Sequence, residues 1–250
     1  MNHPSEYQAP PGLLAGRVIL VTGAARGIGR AAALAFAGLG ATVIVHGRDQ
    51  GRTAETYDAI VAAGAPEPAR VHVDFATATE ADYGAFAASI DSAFGRLDGI
   101  LHSAVHLEKL MTADALPEAA WLRLLRVNFL APLLLTRACA PLLKTAADAS
   151  VIYTADSHCA APGAYWSGLV APKAALIAAM RSQAEEWSSW PGLRVNAVVP
   201  GPVGSPARAF THPGQSPGSL PVPATILPAY CHLIGPASRG TSGTVIDCQP

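Results

Sequence analysis

The chain has little charge, and what it has is nearly balanced. Its 250 residues carry 17 basic and 18 acidic side chains for a formal net charge of -1, and charged residues make up 14% of the whole. Without an excess of one sign there is no long-range attraction for nucleic acid or an anionic membrane surface, so neither is expected as a partner. Cysteines are few: Cys139, Cys159, Cys231 and Cys248 lie far apart. Their spacing predicts neither a metal site nor a disulfide framework, and suits idle or buried thiols in a reducing cytoplasm. Long apolar runs are also missing, because Arg137 and Lys144 interrupt the stretch around Leu133, Leu134 and Leu135; no membrane span is expected. The N-terminus lacks a basic-then-apolar signal pattern, and Met1 to Pro11 is polar and proline-rich. Residues 1-13 are therefore expected to form a loose tail, and the protein to be cytoplasmic.

Apolar material is abundant. Half of the residues are hydrophobic, enough for one sizeable core and a single domain over residues 14-250. Strand-like segments recur near 17-22, 41-46, 70-74, 98-103, 149-154, 193-199 and 243-247, with helical patterns near 27-39, 51-63, 79-94, 117-144 and 166-188. Such alternation requires right-handed crossovers, and the strands read as continuous apolar runs suited to burial on both faces. The expected fold is α/β: a doubly wound Rossmann-type domain with a seven-stranded parallel sheet flanked by helices. Residues 201-223 are dense in Pro, Gly and Ser, too long for a bare connector, and are expected to form a substrate loop or lid.

The first strand runs into Gly23-Ala24-Ala25-Arg26-Gly27-Ile28-Gly29 and then into an alanine-rich helix. Gly23 permits a tight exit from the strand, and Gly27 and Gly29 let backbone and helix approach a pyrophosphate. Free amides at the new helix N-terminus then face negative charge. The spacing is Gly-x-x-x-Gly-x-Gly, and with Thr22 before it this segment resembles the signature of the short-chain dehydrogenase/reductase family. Asp74, Asn128 in Val127-Asn128, Lys173 and Pro200-Gly201-Pro202-Val203 agree in order and spacing. The resemblance spans residues 14-248, and Ile100 to Ala104 and the ending after Asp247 are most similar to a bacterial branch of uncharacterised oxidoreductases.

The resemblance implies a nicotinamide dinucleotide. It places Asp74 and Phe75 at the adenine, Ser103 and Ala104 at the adenosine ribose, and Pro200, Gly201, Val203 and Ser205 beside the carboxamide. An NAD site usually has a carboxylate at the tip of the second strand, but here Val45-His46 leads into Gly47-Arg48. Arg48 and Arg26 are placed to grip a 2'-phosphate, so NADP(H) is expected over NAD(H). Asp49 lies beyond the usual acid position. Val105 stands where relatives have glycine, which crowds the cofactor.

In this family a tyrosine protonates the substrate oxygen, and a lysine four residues later lowers the phenol pKa and holds the nicotinamide ribose. A serine orients the carbonyl, and an asparagine supports a proton-relay water. This chain keeps Asn128 and Lys173, but has Leu169 at the tyrosine position and Asp156 at the serine position, with Ser157 beside it. Leucine donates no proton. Pro172 lacks a backbone donor and predicts a helix starting later than in relatives. Substitute donors are Tyr165, one turn before Leu169, Asp156 if buried, and His106 or His158 at the rim where such sheets bind ligands. Two readings stay open: an NADP(H)-dependent oxidoreductase acting on a small carbonyl or alcohol with an atypical proton donor, or a cofactor-binding pseudoenzyme serving as sensor, scaffold or partner subunit. The long helices at 117-144 and 166-188 predict a homodimer or homotetramer, as in relatives.

Overall fold

The aliphatic runs form strands because both of their faces are covered. In the computed structural model, which describes residues 3-249, these are β1 (Val18–Thr22), β2 (Thr42–His46), β3 (Ala69–Val71), β4 (Gly99–His102), β5 (Ala149–Thr154), β6 (Leu193–Val199) and β7 (Val245–Asp247). They make one sheet in the order β3-β2-β1-β4-β5-β6-β7, every pair parallel. Strand order reverses between β1 and β4, and that switch point opens the crevice in which such sheets bind ligands.

Side chains alternate along β1: Val18 and Leu20 enter one core layer with Tyr83, Leu135, Tyr153 and Met180, while Ile19 and Val21 enter the other with Phe36, Val43, Tyr230 and Leu233. The helices are α1 (Gly27–Gly38), α2 (Gln50–Ala62), α3 (Glu80–Phe94), α4 (Glu118–Leu125), α5 (Ala131–Thr145), α6 (Ser167–Glu186), α7 (Pro206–Thr211) and α8 (Leu227–Ile234). A π turn, Arg126–Leu130, joins α4 to α5 without a break. The combined helix is long and apolar enough to cross a membrane by length and composition, yet Leu135, Cys139 and Leu143 are buried in the core.

The N-terminal edge of the sheet is locked by charge. Asp148 pairs with Arg17 at 3.1 Å and also with Arg194, and the Asp98 carboxylate accepts from the Val18 amide at 2.8 Å. The opposite edge, at the strand tips, is left for ligands.

Four expectations need correction. β3 stops at Val71 rather than residue 74, because the Val73 carbonyl faces His46 Nε2 at 3.0 Å and Asp74 turns the chain by accepting from the Ala76 amide at 3.0 Å. The expected loose tail is anchored at three points, with Tyr7 meeting His232 edge-on at 5.1 Å and Tyr7, Ala9 and Leu13 against the second core layer. Residues 1 and 2 lie outside the described residues. α6 starts at Ser167, ahead of Pro172, which sits inside the helix. Proline there removes the donor for the Gly168 carbonyl, but burial of Leu169, Val170, Pro172 and Lys173 keeps the helix continuous. Lastly, α8 was not expected. Leu227, Ala229, Tyr230, Cys231, Leu233 and Ile234 are all buried, so the helix lacks the polar stripe that would reveal a 3.6-residue period.

Candidate active site

The C-terminal tips of the strands surround one cleft of about 1050 Å³. Its floor is set by a close approach of two loops. Gly23 has φ +69°, and a Cβ there would lie 2.7 Å from Ala104 Cα. Thr22 Oγ1 fixes this contact by accepting from the amides of Ser103 at 3.1 Å and Ala104 at 3.2 Å. Gly27 (φ +58°) then opens α1, whose N-cap residue, Arg26, makes no side-chain capping bond. The first amides of α1 are therefore left for an anion. Gly23, Arg26, Gly27, Ile28 and Gly29 all line the cleft.

At the adenine end, His46 closes β2 with its ring stacked on Phe75 at 4.3 Å. Burial pushes its pKa down from 6.5 to about 4, so the ring is neutral. Asp74 and Phe75 border this end, Arg48 and Arg52 follow β2 in the chain, and both line the cleft together with Arg26. Asp49, the acid that follows β2, caps α2: its Oδ1 accepts from the Arg52 amide at 3.1 Å, and its Oδ2 lies 3.3 Å from Arg52 Nε. Arg48 is 3.9 Å from Asp74, both about half exposed. Arg52 was missed from sequence, although its spacing of four from Arg48, at the start of a helix, was a usable signal.

At the other end, Trp166, Leu169 and Lys173 follow one another along the cleft side of α6. Lys173 Nζ donates to the Thr154 carbonyl at 2.7 Å. Burial lowers its pKa from 10.5 to about 8, against the opposing pull of Asp156 and Cys159. Leu169, at the expected tyrosine position, is buried. Asp156 caps a short 3-10 turn, Ser157–Cys159: its Oδ1 accepts from the His158 amide at 2.9 Å and sits 2.7 Å from His158 Nδ1. The His158 ring lies flat on Trp166, centroids 3.7 Å apart and planes 11° apart.

Two expected site residues do not line the cleft. Asn128, in the π turn, is buried and spends its amide on main chain, accepting from His106 N–H and donating to His106 C=O, each at 2.9 Å. It acts on the cleft through the β4 exit loop. Tyr165, at φ +73°, is 56% exposed and lies in a neighbouring small hollow with Leu107, Met111 and Leu169. His106 reaches the cleft, but its Nε2 is 2.9 Å from Glu108, which also takes Arg123 at 2.8 Å.

The remaining wall comes from the segment after β6. Pro200, Gly201, Val203 and Ser205 line the cleft, and Gln249 Nε2 braces their turn by donating to the carbonyls of Pro200 (2.9 Å) and Pro202 (3.0 Å). Ser205 caps α7 by accepting from the Arg208 amide at 3.2 Å, with Pro206 in the first turn. That helix, hidden in the proline-rich 201-223 stretch, brings Arg208, Phe210 and Thr211 to the cleft. Ser-Pro before a short alanine-containing run was the signal available for it.

A family model, short chain dehydrogenase, matches residues 17–215. The chain is 35% identical to the uncharacterized oxidoreductase YciK of Escherichia coli (strain K12), over 98% of this chain and 96% of that protein. A short-chain dehydrogenase structure from Pseudomonas syringae superimposes with a TM-score of 0.95 at 39% identity, covering 98% of this chain and 99% of the other. One from Escherichia coli CFT073, complexed with NADPH, gives 0.93 at 35% identity, over 96% and 100%. The glycine turn, the sheet order and these matches agree, and the chain belongs to the short-chain dehydrogenase/reductase family.

Proposed function

We propose that this protein is an NADP(H)-dependent oxidoreductase that interconverts a carbonyl and an alcohol, its proton handled by a side chain other than a tyrosine. The observation that carries the reading is that Arg26, Arg48 and Arg52 line the cleft while the first acid after β2, Asp49, caps α2. A ribose 2'-hydroxyl finds no free carboxylate from Asp49, whereas a 2'-phosphate finds guanidinium donors. The cofactor bound to the Escherichia coli CFT073 relative supports the same choice.

The residues present suit such a group. Glycine at positions 23 and 29 lets the turn close on Ala104 and on its own backbone, contacts that a Cβ at either position would block, and uncapped α1 amides offer donors for the pyrophosphate. Lys173, with its cation beside the Thr154 carbonyl, is the candidate to hold the nicotinamide ribose. When bound, the dinucleotide supplies or accepts the hydride. Leu169 and Trp166 exclude water from the reacting end, and α7 covers the glycine turn, with Pro206 Cδ 3.5 Å from where a Gly27 Cβ would stand. The second reading, a dinucleotide-binding protein without turnover, is favoured by one observation only: Leu169 offers no proton at the expected tyrosine position.

Calorimetry tests the cofactor assignment. NADPH is expected to bind at least tenfold more tightly than NADH, and Arg48→Ala with Arg52→Ala is expected to erase that margin, since each charge-assisted contact contributes roughly 1.5-3 kcal/mol. Equal affinities in the parent would defeat the NADP preference. Consumption of NADPH with 4-nitrobenzaldehyde or 9,10-phenanthrenequinone then separates the two readings.

A further inference from the structure

We propose that His158 is the proton donor to the substrate oxygen, held in place by Asp156 as a positioning residue, an inference that rests on the NADP(H) oxidoreductase reading above. The geometry of the turn after β5 carries it. Asp156 Oδ1 engages both the amide and Nδ1 of His158, which places the hydrogen on Nδ1 and leaves Nε2 without a partner among the described residues. The flat stack on Trp166 fixes the ring plane. With Trp166, Leu169 and Lys173, His158 lines the reacting end of the cleft.

The competing donors are otherwise engaged or displaced. The His106 ring is tied to Glu108, itself paired with Arg123. Tyr165 opens into the neighbouring hollow. Asp156 has its Oδ1 occupied twice by His158 and serves as an acceptor there. Beside the His158 ring are Asp156 and Cys159 on its own turn and His212 after α7, with ring centroids 6.3 Å away, while Arg208 on α7 and Lys173 on α6 line the same cleft. Asp156, whose Oδ1 lies 2.7 Å from Nδ1, is the group among them that holds the ring and its tautomer.

The step balances as follows. In reduction, the Nε2–H bond of the imidazolium breaks and an O–H bond forms on the substrate oxygen, while the carbonyl carbon takes a hydride from the reduced nicotinamide dinucleotide. The C=O π pair becomes the O–H bond of the alcohol. The ring is left neutral, with Nδ1–H on Asp156, and regains its proton from water at the cleft mouth. Oxidation runs the same transfers backwards, with Nε2 as the base.

The test combines binding, turnover and an activity-independent reading of the ring. His158→Gln, and His158→Phe to preserve the stack, are expected to bind NADPH within about twofold of the parent and to lose about 10²- to 10⁴-fold in kcat with 4-nitrobenzaldehyde or 9,10-phenanthrenequinone. Nitrogen-15 imidazole spectra are expected to show His158 as the Nδ1–H tautomer in the parent and as a tautomer mixture in Asp156→Asn, whose kcat falls more than its KM rises. Undiminished turnover in both His158 variants, or a tautomer indifferent to Asp156→Asn, would overturn the assignment while leaving the oxidoreductase reading intact. A parent that fails to bind NADPH, or binds it without turning over either probe, overturns that reading and this assignment together.

Discussion

The two ends of the cleft are built from different materials. Around β1 and β2 the recognition groups are largely backbone: glycines at Gly23 and Gly27 with positive φ, uncapped amides opening α1, and a loop contact between Gly23 and Ala104 that admits no Cβ. Around β5 and α6 they are side chains, Asp156, His158, Trp166, Leu169 and Lys173, held by hydrogen bonds and stacking. A backbone site tolerates almost no substitution at its glycines. A side-chain site can change its chemistry while the helix and strand beneath it stay in place. The two ends therefore differ in how far their sequences can change without loss of the fold.

Three changes sharpen the contrast. The largest effect is expected at the side-chain end: adding Leu169→Tyr and Asp156→Ser to His158→Gln should raise turnover of 9,10-phenanthrenequinone by about 10²- to 10⁴-fold over His158→Gln alone, the usual contribution of a positioned general acid. No gain would mean that α6 holds residue 169 out of reach of the substrate. At the backbone end, Gly23→Val places a branched side chain in a left-handed conformation and against Ala104. Strain of roughly 1-2 kcal/mol from the conformation and about 1-3 kcal/mol from overpacking should lower Tm and weaken NADPH binding at least tenfold. Calorimetry giving parental affinity would show that the loop contact is dispensable.

The smallest effect is on acid stability, which depends on two buried histidines, His46 at the tip of β2 and His102 at the tip of β4. Burial pushes His46 to about 4 and His102 to about 3, both below the ordinary 6.5. The unfolded chain therefore binds protons first as pH falls, so stability is complete above pH 6.5 and declines between 6.5 and these lower values. The upper limit is about 1.4 kcal/mol per pH unit for each histidine. Urea melts at pH 6.5 and 4.5 should show a shallower loss in His102→Gln than in the parent. Identical losses would sink the attribution.

The sequence revealed elements whose physics is local. The strands were visible because burial on both faces makes them continuous apolar runs, and the glycine turn because positive φ and close approach select glycine. The fifteen residues assigned to the cofactor, some from the glycine turn and the β2 tip and the rest from the family resemblance, all line one cleft. Elements that depend on tertiary context were hidden. α8 is apolar all round and gave no period. The packing of Tyr7 on His232 joins positions 225 residues apart in a segment whose composition suggests a tail. His158 and Asp156 are two residues apart, a spacing at which side chains meet only if the chain tightens into a 3-10 turn, as it does here. His158 was therefore legible as a rim histidine, and its pairing with Asp156 was not.

The clasp between Asn128 and His106 has a mechanical consequence. One amide side chain grips both main-chain groups of a loop residue, as a neighbouring strand would. The 28-residue rod from Glu118 to Thr145 is thereby riveted to the cleft margin at its point of altered pitch. Any twist imposed on the outer surface of that rod, where Leu122 and Leu130 stand exposed, must drag the loop at His106 with it.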